Sequence, residues 1–198
     1  MIVIVGRPGL GSNGQLDRLA AQIAIAAASA GGRTELVGSV GDDAEGDDVV
    51  VALGRAGVGH AAILRDPAGA TPTSAAEAAA EDDPEAEPGR LPRLDAADVD
   101  LGLRYLPECR VLVVAEPLPE DAFRVVIDAA AYHGAQLIVI GEARDLPDAA
   151  TVLEAPQDGG GAFAEVVARY AVALDDGRAA ADAWRDAVDQ TGWEQATE

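Results

Sequence analysis

The residues that could do chemistry are few, and the most suggestive are glycines. Asp158-Gly159-Gly160-Gly161 runs into Ala162-Phe163 and a helix-forming stretch. Residues without side chains at a helix start leave backbone N–H groups bare, which is a ready site for an anion. The same run reads equally well as a flexible connection that binds nothing. Gln22 is polar inside an otherwise apolar helical stretch, where it either faces a pocket or makes a hydrogen bond at an interface. Asp42 and Asp43 are adjacent carboxylates at a glycine-marked turn, a placement that suits turn structure better than paired acid/base work. His60 and His133 stand without a second ligand at metal spacing and read as loop or helix-end residues, so no metal site is expected. Cys109 is the only cysteine, which excludes an internal disulfide and a Cys-rich zinc site. Beside the apolar run Val111 to Val114 it reads as an inert, buried thiol.

Composition removes further chemistries. The chain has 198 residues, with 35 acidic against 14 basic ones and a formal net charge of -21. Every basic residue is Arg and none is Lys. Without lysine there is no Walker A loop and no Schiff-base enzyme. A surface this acidic repels phosphate backbones and anionic lipid, so neither nucleic acid nor membrane is an expected partner. The acidity fits either a solvation adaptation or a docking face for a basic partner. The opening Met1-Ile2-Val3-Ile4-Val5-Gly6 lacks a basic flank and is too short for a signal or a span, so a soluble, cytoplasmic protein is expected.

The elements that must position these residues alternate between strand and helix. Ile2 to Val5, Leu36 to Gly41, His60 to Leu64, Arg110 to Ala115, Leu137 to Ile140 and Thr151 to Leu153 read as strands. Leu16 to Ala30, Val49 to Ala56, the stretch from Asp95 through Leu106, Glu120 to His133, Ala162 to Leu174 and Ala179 to Val188 read as helices. Asp17 or Asn13 is the expected cap of the first helix. Only 4% of residues are aromatic, so the core must be Ala, Val, Leu and Ile. This pattern predicts one domain over 1–198, an α/β fold with three α/β/α layers and a mostly parallel central sheet. Residues 75–92, with Glu81-Asp82-Asp83-Pro84-Glu85-Ala86-Glu87-Pro88, read as a flexible acidic loop.

Gly38-Ser39-Val40-Gly41-Asp42-Asp43-Ala44-Glu45-Gly46, with Leu53 and Ala56-Gly57-Val58 behind it, resembles the N-terminal signature of the pfkB, or ribokinase-type, carbohydrate kinases. In that signature a strand ending Gly-x-Val-Gly is followed by x-Asp-x-x-Gly and a helix. Val111 to Pro117 and Leu137 to Gly141 resemble the family's later strands, and Gly159 to Phe163 its C-terminal signature. The resemblance implies a ribokinase-like fold, ATP and Mg as cofactors, and phosphoryl transfer to a sugar or nucleoside hydroxyl.

The departures from the family pattern bear on activity. Aligned on Ala162-Phe163, the family's catalytic Asp falls on Gly161, which cannot accept a proton. Losing a general base forfeits a factor of about 10²–10⁴. Asp158 lies three residues earlier as a poorly placed substitute. The family's sugar-binding Gly-Gly and Asn fall on Asp17-Arg18 and Gln22, and its early Asp has no counterpart in Gly6-Arg7-Pro8-Gly9. The lid strands are missing or reduced. The expectation is a degenerate kinase homologue that binds a small molecule or an anion through Gly159, Gly160 and Gly161, with Gln22 on the substrate side. The alternatives are an active kinase with a non-standard base, which would still need Mg and ATP, and an interaction protein acting as a homodimer.

Overall fold

The computed structural model describes residues 1–76, 89–142, 146–147, 149–156 and 160–193. The β-branched runs form six strands: β1 Ile2–Val5, β2 Thr34–Gly41, β3 Gly59–Asp66, β4 Val111–Val114, β5 Gln136–Ile140 and β6 Thr151–Leu153. They lie in the order β3-β2-β1-β4-β5-β6, with every neighbouring pair parallel. The helices are α1 Leu19–Ser29, α2 Ala44–Arg55, α3 Ala96–Arg104, α4 Glu120–His133, α5 Gly160–Asp175 and α6 Ala180–Thr191.

Parallel crossovers put helices on both faces, which is why the central strands read as unbroken apolar runs. One face of the sheet carries Ile2, Ile4, Leu36, Val40, Val113 and Ile138 and is covered by α1, α2, α5 and α6. The other carries Val3, Val5, Val37, Leu112, Val114 and Val139 and is covered by α3 and α4. The result is a three-layer α/β/α sandwich. Among the described residues no helix is long and apolar enough to cross a membrane.

Helix starts differ from expectation where caps decide them. α1 starts at Leu19 rather than Leu16, and neither Asp17 nor Asn13 caps it: Arg18 holds the N-cap position and makes no side-chain cap bond. Leu16 is instead drawn into an antiparallel bridge with Leu10. α2 starts earlier than expected, at Ala44, because the Asp43 carboxylate accepts the Gly46 N–H at 2.8 Å. α3 is set by a capping box in which Asp95 accepts the Asp98 N–H and Asp98 accepts the Asp95 N–H. α5 starts within the glycine run, so Gly160 and Gly161 are helical. His60 lies within β3, as the strand reading of His60 to Leu64 has it and not in a loop, its Nδ1 3.1 Å from the Val58 carbonyl. Of the expected acidic loop over 75–92, residues 77–88 lie outside the described residues. Where lid strands were expected to be missing or reduced, the described residues of the first crossover show isolated bridges from Leu10 to Leu16 and, beyond the crossover, to Thr73.

Candidate functional site

In an open parallel sheet, ligands bind outside the carboxyl ends of the strands, where the strand order reverses. Here that point lies between β1 and β4, and two segments leave it: Gly6-Arg7 after β1 and Ala115-Glu116 after β4. The Glu116 carboxylate accepts from the Arg7 backbone N–H at 3.0 Å and from its guanidinium at 2.6 Å through the same oxygen. Arg18 approaches the other oxygen at 3.8 Å. Arg7 also donates through Nε to the Pro92 carbonyl at 2.6 Å. The Arg7 and Glu116 side chains are only 13% and 15% exposed, so this pair is largely withdrawn from water. A carboxylate at the mouth of the crevice is therefore held by the protein's own cations. Sequence reasoning missed this arrangement, because nothing in the order of residues announces that the ends of β1 and β4 are neighbours.

Beside the crevice, the N-terminal ends of α1 and α5 enclose a pocket of about 420 Å³ lined by Asp17, Leu19, Gln22, Ala155, Pro156, Gly161 and Phe163. It brings Gln22 and Gly161 together. It also brings in Asp17, which accepts from the Gln22 amide at 3.0 Å and from the Ser74 hydroxyl at 2.9 Å. Gly161 is exposed, and a Cβ built on it would meet no atom within 4 Å. Glycine is thus not required there by crowding. Asp158 and Gly159 lie outside the described residues, as do the surroundings of Gly160.

A second cleft of about 540 Å³ opens at the ends of β4 and β5 beside the start of α4. Its floor is apolar, with Leu118, Phe123, Ile127 and Val139, and its polar lining is Glu116, Glu120, Glu142 and Arg124. Arg124 is paired with Glu120 at 2.7 Å. A nucleoside triphosphate needs cations or aimed N–H donors around its phosphates. The described residues here offer carboxylates instead, and among them no group of three or more His, Cys, Asp or Glu is placed to hold a metal ion. These residues do not fit Mg-ATP, so no catalytic step is routed through it.

The signature segment is structural. Asp43 accepts from the Gly46 N–H at 2.8 Å, the Thr71 N–H at 2.8 Å and the Thr71 hydroxyl at 2.6 Å, and that hydroxyl in turn accepts the Gly41 N–H at 2.9 Å. Burial works to raise the Asp43 pKa, but the Thr71 and Gly46 hydrogen bonds and the Arg65 charge together outweigh it and hold it below the ordinary carboxylate value. A Cβ on Gly46 would lie 2.5 Å from the Gly41 carbonyl oxygen, so glycine is needed there for close approach. Cys109 is buried, and loss of water pushes its thiol pKa up to about 12, the inert thiol expected from the sequence.

Solved structures of similar shape agree with this architecture. Ribokinase from Arabidopsis thaliana, complexed with ribose and ATP, superposes with a TM-score of 0.68 at 16% identity, covering 96% of this chain and 90% of that one. A PfkB protein from Polaromonas sp. JS666 gives 0.66 at 15% identity, covering 96% and 94%. At such identity the likeness speaks for the fold. No curated protein matches the sequence closely enough to count as a relative. The family model for pfkB family carbohydrate kinases matches residues 20–157, a span that holds the Gly38 to Gly46 signature and stops short of Gly160 and Gly161. With that match over more than half its length and the ribokinase-like sheet order beneath it, the chain belongs to the pfkB carbohydrate kinase family.

Proposed function

We propose that this protein is a non-catalytic member of its family, which holds a small hydroxylated or anionic molecule between α1 and α5 without transferring a phosphoryl group to it. The observation that carries the reading is Gly161. It lines the pocket in the first turn of α5, where the family resemblance puts a proton-accepting Asp, and it brings no side chain. The Arg7–Glu116 pair supports the same reading, since it engages the carboxylate that faces the crevice. What remains is a pocket with amide and carboxylate groups on the α1 side and helix N–H groups on the α5 side, a set that can hold hydroxyls or an oxyanion. Calorimetric titration with pentoses, hexoses, nucleosides and inorganic phosphate tests it. Binding that Gln22→Ala weakens supports the reading, and a flat panel rejects the binding half of it.

A second reading, an active kinase with a relocated base, draws on one observation: Asp17 is a carboxylate lining the same pocket as Gly161. On that reading the wild type turns over and Asp17→Asn abolishes turnover, whereas turnover unaffected by Asp17→Asn removes this role.

A further inference from the structure

We propose that the groove between the C-terminal halves of α3 and α4 docks a basic, apolar-faced segment of a partner protein. This face is at the opposite edge of the sheet from the candidate site, because helices that return between parallel strands end where the strands begin. The groove, of about 610 Å³, has an apolar floor of Leu103, Pro107, Val125 and Ala129. Asp100, Arg104, Asp128, Tyr132 and His133 stand along it.

Three observations argue for the occupant. The first is aromatic exposure. The chain has only three Tyr, two Phe and two Trp. Phe163 and Tyr170 are buried, and Trp184 and Trp193 pack against those rings and each other. The two strongly exposed aromatics, Tyr132 at 87% and Tyr105 at 69%, both sit at the ends of this helix pair, with Leu101 at 44% on α3 beside them. Tyr132 lines the groove itself; a tyrosine at a groove is the kind of residue that anchors protein interfaces, and an aromatic face attracts a guanidinium or ammonium group.

The second observation is the sign of the local charge. α3 and α4 both end at this groove, with C-caps at Tyr105 and Gly134, so two helix termini present partial negative charge together; of the basic residues in their last turns, Arg104 is taken up by Asp100 and His133 stands edge-on to Tyr132. Asp128 has no ion-pair partner among the described residues, while Asp100 is paired with Arg104 at 2.5 Å. The third is the whole-molecule field. At a net charge of -21 a second copy of this chain is repelled, whereas a basic partner is drawn in.

The probe is a synthetic amphipathic helix of Arg and Leu, followed by fluorescence anisotropy at physiological salt, with the same helix carrying Glu for Arg as its counterpart. The Arg helix is expected to bind and the Glu helix not to. Tyr132→Ala should lower the affinity about tenfold, as for an interface anchor. Asp128→Asn should weaken it, and Asp189→Asn on α6 should leave it unchanged. Because Tyr132 is so exposed, the variant keeps its fold, which circular dichroism checks. Equal loss in Tyr132→Ala and Asp189→Asn would mean unspecific charge attraction and overturn the proposal, as would absence of binding. A concentration-dependent dimer dispersed by Tyr132→Asp would also overturn it, by showing that a second copy is the occupant.

Discussion

Gly161→Asp supplies the side chain that the family resemblance puts at this position, and the structure predicts what the substitution does to the fold. Gly161 is the second residue of α5 and its Cβ direction is open, with no atom within 4 Å. No overpacking cost is incurred. Replacing a helical glycine recovers a few tenths of a kcal/mol, since Asp is only modestly better than Gly in a helix. A carboxylate in the first turn adds about 0.3–1 kcal/mol by facing the positive end of the helix. The sum is about 1 kcal/mol of stabilisation, which for a chain of this size raises the melting temperature by about 2–4 °C. Differential scanning calorimetry of the two proteins measures this directly. The same carboxylate opposes any anion in the pocket, so stabilisation by inorganic phosphate, where the wild type has it, should be reduced in the variant. A fall in melting temperature of several degrees would refute the reasoning, because it would mean that Gly161 is fixed by crowding or by a backbone other than helix.

Asp43→Ala removes an N-cap and leaves the Gly46 and Thr71 N–H groups without their acceptor, so a loss of about 2–3 kcal/mol is expected in urea unfolding. Because the folded-state pKa of Asp43 is lowered, its contribution is fully present above the unfolded carboxylate value near pH 4 and is lost as pH falls through the folded value; the wild-type advantage over Asp43→Ala should therefore shrink in acid. Arg7→Ala leaves Glu116 at the crevice with the residue-7 backbone N–H and the more distant Arg18 but no close cation, and should cost about 3 kcal/mol at neutral pH, with Arg7→Ala/Glu116→Gln recovering part of it. Cys109 should resist iodoacetamide at pH 8 in the folded protein and react once urea unfolds it; rapid labelling of native protein would contradict its burial.

Much of the fold was legible because parallel strands covered on both faces leave a simple trace. Ile2–Val5 and Val111–Val114 are apolar runs bounded by turns, and Glu120–His133 has a helical apolar stripe whose ends the sequence marks by Pro119 and Gly134. The end of α1 is marked by Gly31-Gly32, but its start is not. Leu16 continues the apolar pattern and is nevertheless taken by a bridge to Leu10, a contact that periodicity does not encode. Asp43 was legible as a turn residue, whereas its hold on Thr71 joins positions far apart in the chain. The site divides in the same way. Gln22 and Gly161 could be placed from the family pattern, because the residues that line its pocket come from fixed elements. Asp17 falls on a sugar-binding position of the same pattern, but its hydrogen bonds and the Arg7–Glu116 pair could not be read there, since they depend on how loops leaving β1, β4 and the first crossover meet in space. The groove at α3 and α4 was legible only as excess acidity, and its location needed the packing angle of two helices.

The central claim is that phosphoryl transfer has been lost while the fold persists. The direct measurement is product formation by the purified wild-type chain with Mg-ATP and a panel of pentoses, hexoses and nucleosides, read by mass spectrometry as sugar phosphate per protein molecule. The account predicts no phosphorylated product above that formed without protein. Multiple turnovers on any one acceptor, abolished by Asp17→Asn or by Asp158→Asn, would contradict it and make this chain an active kinase with a relocated base.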